Sequence, residues 1–262
     1  MVRVEIWSDV VCPFCYMGKR RFENAMKAFQ RKDEVQVAWR SFQLDPDIQP
    51  APGLSVQDYL AQRKGMSASE SRRSHERLTA AAAELGLAYD FDRAVVANTL
   101  DAHRLTHLAR GRGLAEQMEE RLFAAYFTEG RNIGDAETLA ALGAMVGLDP
   151  AEVRRVLAGS DYRDDVSNEA QEATELGATG VPFYVFNRLY AISGAQPSEL
   201  FLEALQRVWE EQVPRDGSGG SAARWKEDER QGDNGGKADV HDQEYPGGKI
   251  VENDGAHKAR HE

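Results

Sequence analysis

The sequence predicts an α/β protein whose small mixed sheet is interrupted by a large all-helical insertion and followed by a polar C-terminal arm. Strand-like segments occur near the start of the chain and again after residue 181, whereas helical periodicity fills most of the stretch between them. After Pro214 the composition changes to glycine and charged residues, which bury too little apolar surface to offset their ordering entropy. We therefore divide the chain into a sheet domain (1–54 and 176–213), a helical insertion (55–175) and an arm or disordered tail (214–262).

Apolar spacing defines the first three elements. Val2 to Trp7 has the composition of a short buried strand, and a helix with apolar residues at helical intervals runs from Phe14 to about Gln30. Residues 35–42 (VQVAWRSF) alternate apolar and polar side chains, which predicts a second strand. A proline-rich loop then ends this run.

Capping signals divide the insertion into short helices. Ser67 and Glu70 have the spacing of a capping box, and Gly86 is suited to end the helix that they begin. Asp149 followed by Pro150 is typical of a capping side chain with proline at the first helical position. Apolar stripes between these signals predict about five to seven short helices packed as one bundle.

Strand signals return after the insertion, in PFYVFN at 182–187 and LYAIS at 189–193. The short connection between them predicts an antiparallel hairpin. Proline is tolerated at the start of a strand, and on periodicity alone the Val181-Pro182 bond is expected to be an ordinary trans peptide. Residues 197–212 carry apolar side chains on one stripe, which predicts a final amphipathic helix.

Composition limits the partners and the compartment. The net charge of −11 and the pI near 5.1 argue against a nucleic-acid partner, because phosphate binding needs a basic face. The N-terminal residues MVRVEIW form no charged-then-apolar leader, and no apolar run is long enough to cross a bilayer. We therefore expect a cytoplasmic protein with no membrane partner. In that reducing compartment a CxxC is more often catalytic, redox-sensing or metal-binding than a structural disulfide.

Both cysteines lie in SDVVCPFCYMG, immediately after the first strand. Pro13 is preorganised for the first helical position and pushes Cys12 into extended geometry, so we expect Cys12 at the N-cap of the helix. Free N–H groups and the helix dipole favour a thiolate there, with a pKa lowered from about 8.5 to between about 3.5 and 7.5. Cys15 would lie one turn further on, where it could exchange with Cys12.

A metal site is the main competing interpretation of the CxxC. Structural zinc needs four ligands, and the chain has no second CxxC. His103 and His107 are four residues apart, but HRLTH lacks the glutamate of HExxH. We interpret the two histidines as polar residues that face solvent or a domain cleft, and we predict no metal.

CPFC at the first strand-helix junction and TGVPFYVF after a helical insertion together resemble the DsbA family of thioredoxin-fold thiol-disulfide oxidoreductases. SDVVCPFCYMGKRRF, SFQLDPD, NTLDAHRLTHLARGRG, LFAAYFTEGRNI and GATGVPFYVFN are most similar to its FrnE branch, and the resemblance covers about residues 2–212. It implies a thioredoxin-like sheet domain, Cys12 as the nucleophile and Cys15 as the resolving thiol. It also implies a cis Val181-Pro182 peptide packed against the two sulfurs. The redox-active Cys12-Cys15 dithiol or disulfide replaces a cofactor.

The same resemblance implies protein substrates with thiols or disulfides and an electron donor of the thioredoxin or glutathione type. The backbone of Val181 would pair with an extended substrate, next to Pro13 beside the nucleophile. Phe14, Tyr16 and Phe183 either form an apolar rim for a flexible client or belong to the core. The expected cytoplasmic location favours reductase or isomerase work over oxidation. The arm contains no cysteine and so relays no electrons, and formation of a homodimer stays open.

Two other functions compete with disulfide exchange. Kappa-type glutathione transferases and 2-hydroxychromene-2-carboxylate isomerases resemble the chain in having a thioredoxin core with a helical insertion. They use serine where Cys12 stands and bind glutathione, so the thiol pair argues against them. A non-catalytic chaperone would instead use an apolar cleft between the sheet and the helices.

Overall fold

The chain begins with a parallel β-α-β unit. The computed structural model describes residues 1–49, 54–212 and 251–252. β1 (Val2–Ser8) and β2 (Val35–Ser41) pair in parallel, and α1 (Pro13–Ala28) forms the connection between them. The predicted strand, helix and strand are confirmed, and their ends differ from the prediction by one or two residues.

A block of seven helices fills the described residues between 54 and 177, and we call it the helical block. Ser67 and Glu70 form a reciprocal capping box at the start of one helix, and Asp149 caps another with Pro150 at its first position. Both predicted starts are therefore confirmed. The helices are α2 (Val56–Lys64), α3 (Ala68–Glu84), α4 (Leu100–Arg110), α5 (Ala115–Phe127), α6 (Ala136–Met145), α7 (Pro150–Ala158) and α8 (Arg163–Glu175).

The sheet is completed after the helical block. β3 (Phe183–Phe186) pairs antiparallel with β1, and β4 (Tyr190–Ser193) pairs antiparallel with β3, which confirms the predicted hairpin. α9 (Ser198–Gln212) follows. β5 (Val251–Glu252) adds to β4, so the sheet order is β2-β1-β3-β4-β5.

Alternation along the strands divides the apolar residues between two cores. Ile6 and Tyr184, which pair across β1 and β3, pack on the face covered by α1 and α9. Their neighbours Trp7 and Phe183 point to the opposite face and join the interior of the helical block. The helical block therefore covers the face of the sheet opposite to α1 and α9.

The predicted α/β fold, a mixed sheet interrupted by helices, is confirmed. The domain boundaries at 54, 175 and 213 stay a prediction. Most of the predicted arm (214–262) lies outside the described residues, and Val251 and Glu252 of β5 are its described part. Among the described helices, none is long and apolar enough to cross a membrane.

Candidate active site

Cys12 occupies the junction between β1 and α1. It has extended geometry (φ −86°, ψ 114°) and is the N-cap of α1, with Pro13 at the first helical position. Its N–H donates to the carbonyl of Asp9 (3.0 Å), and its own carbonyl accepts from the N–H of Cys15 (3.0 Å). The predicted capping position is therefore confirmed, and it fixes both cysteines to one helical turn.

The two thiols are free and buried, with 0% of Cys12 and 1% of Cys15 exposed. The Cys12 thiol donates to the carbonyl of Val181 (Sγ to O 3.5 Å). Within the described residues, no backbone N–H of the first turn donates to Cys12 Sγ. The expected N–H to sulfur contact is therefore replaced by a contact with the loop before β3, because the protonated thiol is a donor.

Burial dominates the electrostatics of Cys15. It raises the pKa of the Cys15 thiol well above its ordinary value, and the hydrogen bond and charge of Cys12 raise it further. The backbone of Asp9 and the side chain of Ser8 act in the opposite direction. Cys15 is therefore the thiol that keeps its proton.

The loop before β3 brings Pro182 to the active-site helix. The Val181-Pro182 peptide is cis, as the resemblance implies and contrary to the expectation from periodicity alone. The Pro182 carbonyl accepts from the N–H of Gly194 (2.7 Å). Gly18 of α1 allows close approach, since a Cβ at that position would lie 3.1 Å from Pro182 Cγ.

Of the four predicted substrate contacts, three lie beside Cys12 and the fourth, Phe183, belongs to the core. Pro13 and Phe14 line a cavity beside Cys12. Val181 is buried and reaches Cys12 through its carbonyl. A rim position is wrong for Phe183, which is 2% exposed and packs on Trp7 with ring centroids 6.0 Å apart, because odd and even residues of β3 face different cores.

Tyr16 also belongs to the core. Its ring stacks on Phe123 of α5 with centroids 4.8 Å apart, and its hydroxyl donates to Glu120 (2.7 Å). A rim role for Tyr16 is therefore wrong as well. Helical spacing places residue 16 one turn after Cys12, on the side of α1 that the helical block covers.

His103 and His107 are buried, so the solvent-facing alternative is wrong, and both rings lie at the boundary with the sheet, beside Asp9 and Ser41. His103 Nε2 lies 3.4 Å from Asp9 Oδ1, and His107 Nε2 lies 3.2 Å from Glu169 Oε2. Burial lowers the pKa of His103, but the Asp9 carboxylate outweighs it, so the pKa is raised overall. An acidic partner thus accounts for each buried ring.

Sequence reasoning missed Asp9 and Tyr89 as residues of this site. Asp9 accepts from the N–H of Leu44 (2.8 Å) and lines the cavity beside Cys12. Tyr89 donates to the carbonyl of Pro13 (2.7 Å) and so ties the helical block to the first turn of α1. Asp9 precedes the CxxC by three residues, so its place near Cys12 could have been predicted from the sequence. No local pattern around Tyr89 predicts its contact with Pro13.

The arrangement places a helix-capping thiol, a second thiol one turn on and a proline loop in direct contact. A family model of the DSBA-like thioredoxin domain matches residues 3–206. The chain belongs to this family. As a DSBA-like protein it is a thiol-disulfide oxidoreductase in general terms.

Two relatives and one further solved structure are similar to the chain. The DSBA-like chain is 44% identical to the probable DsbA oxidoreductase SCO1869 of Streptomyces coelicolor, with a TM-score of 0.77, covering 82% of this chain and 92% of that one. It is 30% identical over 207 residues to the uncharacterized protein YwbO of Bacillus subtilis (strain 168), covering 78% of this chain and 96% of YwbO. The cytosolic disulfide reductase DsbM of Pseudomonas aeruginosa, at 20% identity and a TM-score of 0.56 over 79% of this chain and 99% of DsbM, shares the fold.

Proposed function

We propose that the protein exchanges electrons with protein disulfides through Cys12 and Cys15. The observation that carries the proposal is the position of Cys12, which caps α1 while its Sγ contacts the carbonyl of Val181. A thiol at a helix N-terminus is stabilised as thiolate by the dipole. The Val181 loop lies next to this sulfur, where a substrate backbone would pass.

The reaction proceeds in two exchanges. The Cys12 thiolate attacks one sulfur of a substrate disulfide, forms a mixed disulfide and releases the other sulfur as a thiolate. Cys15 then attacks Cys12, releases the second substrate thiolate and leaves the Cys12-Cys15 disulfide; its proton passes to a released thiolate or to solvent. Two electrons have moved from the protein to the substrate. The reverse sequence oxidises a substrate dithiol.

The environment of Cys15 separates these two steps in time. Its raised pKa keeps Cys15 protonated during the first exchange. Formation of the mixed disulfide removes the charge of Cys12 and with it one cause of the raised pKa. Cys15 therefore becomes easier to deprotonate when its attack is needed.

We also propose reductase or isomerase work in the cytoplasm, without a cofactor beyond the dithiol. The chain has two cysteines, so an external donor of the thioredoxin or glutathione type must reduce the oxidised pair. Equilibration with glutathione buffers measures the reduction potential. A potential of about −270 mV, as in thioredoxin, supports a reductase. A potential of about −120 mV, which is typical of a strong oxidant, contradicts the proposed direction. Membership of the FrnE branch stays a prediction.

Cys12→Ser and Cys15→Ser distinguish the two roles. We expect Cys12→Ser to abolish reduction of insulin disulfides and refolding of a scrambled disulfide protein, because the remaining thiol, Cys15, is buried and keeps its proton. Cys15→Ser should still attack and should accumulate a mixed disulfide that mass spectrometry detects. Full activity of Cys12→Ser would refute the proposal. Suppression of aggregation by a wild-type protein that transfers no electrons would favour a chaperone.

A further inference from the structure

A cavity of about 200 Å³ lies beside Cys12, between the loop after β1 and the helical block. Cys12, Pro13 and Phe14 form one wall. An unfilled volume lowers the stability of a fold roughly in proportion to its size, so its presence beside the nucleophile favours a role in binding. The opposite wall is mostly apolar and includes Val56, Leu60, Leu78 and Phe91.

The volume matches a single ring. An apolar protein cavity of about 150 Å³ stays dry and binds benzene. The cavity beside Cys12 therefore accepts a six-membered ring with a small substituent, while an extended peptide exceeds it. Because Cys12 itself lines the cavity, a ring held there can be bonded directly to the sulfur that Cys12 attacks.

His75 supplies a polar group that the fold itself does not use. Its side chain is 4% exposed, lines the cavity and stacks on Phe91 with ring centroids 4.2 Å apart. Neither ring nitrogen has a hydrogen-bonding partner among the residues that the structure describes. Burial lowers the pKa of His75 and outweighs the charge of Asp92, which would raise it. The neutral ring is therefore favoured. A neutral imidazole offers one donor and one acceptor, and leaving both buried and unused is costly.

The charges on the cavity wall disfavour an anion. The charged side chains that line it are Asp9, Asp45 and Arg63, whereas His75 is neutral. Arg63 forms an ion pair with Asp45 (Nη2 to Oδ1 3.1 Å), so its charge is already compensated. Asp9 adds a second carboxylate. An anionic group would lose its hydration here without gaining an unpaired cation.

We propose that this cavity is a substrate subsite for an uncharged, ring-sized apolar group joined to the sulfur that Cys12 attacks, with His75 hydrogen-bonding one polar atom of that group. The inference rests on the proposed disulfide exchange and adds the class of substrate. The group belongs either to a low-molecular-weight disulfide or to a side chain next to the cysteine of a protein substrate. Both sources share the same chemistry.

The neutral probe 4,4′-dithiodipyridine reproduces that chemistry. The Cys12 thiolate attacks one sulfur, forms a mixed disulfide with one pyridyl group and releases 4-thiopyridone. Cys15 then attacks Cys12 and releases a second 4-thiopyridone, so that the protein loses two electrons and the probe gains them. The dianionic aromatic disulfide 5,5′-dithiobis(2-nitrobenzoate) reacts by the same steps and serves as the matched comparison.

Stopped-flow rates of the reduced full-length protein test the subsite. Each rate is divided by the rate of free glutathione with the same probe, which removes intrinsic reactivity. We expect the normalised rate to be about tenfold higher for the neutral probe, a discrimination typical of an apolar pocket. Val56→Trp, which fills the cavity, should remove most of this preference, and Leu60→Trp, at a less buried position, provides a second filling variant. Met145→Trp adds the same side chain at an exposed site and should keep the preference.

Two substitutions of His75 test the hydrogen bond. His75→Phe keeps the ring that stacks on Phe91 but removes donor and acceptor, so we expect a loss of about fivefold in the rate with the pyridyl probe. His75→Gln keeps both groups and should retain most of the rate. Equal rates in wild type and both variants would overturn the role of His75.

Peptide disulfides identify the source of the group. One peptide carries Phe beside its cysteine, and its partner carries Asp there. Preference within the peptide pair indicates a protein side chain, preference limited to the pyridyl probe indicates a small disulfide, and either result supports the subsite. Equal normalised rates within both pairs would overturn it. If Cys12→Ser reacted as fast as wild type, the proposed function itself would fail, which is a separate result.

Discussion

Gly18→Ala tests the packing between α1 and the loop before β3. A Cβ at residue 18 would lie 2.6 Å from Tyr184 Oη and 3.1 Å from Pro182 Cγ. Pro182 adjoins Val181, whose carbonyl accepts a hydrogen bond from the Cys12 thiol. The substitution therefore pushes on the segment that contacts Cys12, without altering either cysteine.

Two effects of opposite sign determine how much Gly18→Ala changes the stability of the protein. Alanine is favoured over glycine by about 1 kcal/mol in a helix interior. The contact with Tyr184 must lengthen by about 0.8 Å to reach the ordinary 3.4 Å, and overpacking around a fully buried side chain costs about 1 to 3 kcal/mol. We expect a net loss of about 1 kcal/mol, or about 2 to 4 °C in Tm. A loop shift approaching 1 Å should lower the exchange rate by about tenfold or more.

Thermal melts followed by circular dichroism and insulin-disulfide reduction measure the two effects. Gly180→Ala is the matched control, because it makes the same change two residues before Pro182, where no atom lies within 4 Å of the added Cβ. It should behave as wild type. Tyr184→Phe should restore the stability of Gly18→Ala, since the Tyr184 hydroxyl has no hydrogen-bonding partner in the described part of the chain. A Gly18→Ala protein equal to the control in Tm and rate, or no rescue by Tyr184→Phe, would refute this reasoning.

Two further predictions concern stability. The buried Glu169 carboxylate receives hydrogen bonds from Arg40, Arg110 and the N–H of Ser41, and Glu169→Gln should lower the free energy of unfolding by about 3 kcal/mol at pH 7, measured by urea titration. Burial raises the pKa of Glu169, but its cationic and hydrogen-bonding partners lower it well below the unfolded value of about 4.3. The contribution of Glu169 to stability is thus complete above about pH 4.3 and declines as the pH falls below it. The difference in free energy of unfolding between wild type and Glu169→Gln should therefore shrink by about 1 kcal/mol at pH 3.5. An equal difference at pH 7 and pH 3.5 would contradict this. Ser67→Ala removes the capping box of α3 and should lower stability by about 1 kcal/mol in the same titration, whereas an unchanged midpoint would show that the cap contributes nothing.

Local elements were predictable because their signals act over a few residues. Alternation over 35–42 predicted β2, and the Ser67 and Asp149 caps predicted two helix starts. Pro13 placed Cys12 at the N-cap for the same reason, since the backbone preference of a residue before proline is a local steric effect. The family motifs added the cis peptide before Pro182, which periodicity alone assigns as trans.

The sequence by itself determined the chemistry of the site, namely a dithiol at the start of α1 and a proline loop leading into β3. The tertiary structure decided what surrounds it. Docking of the helical block on the sheet buried Phe183, placed His103 against Asp9 and left a ring-sized cavity beside Cys12. These contacts join residues far apart in the chain, so they depend on how two apolar surfaces pack together, and no local preference encodes them.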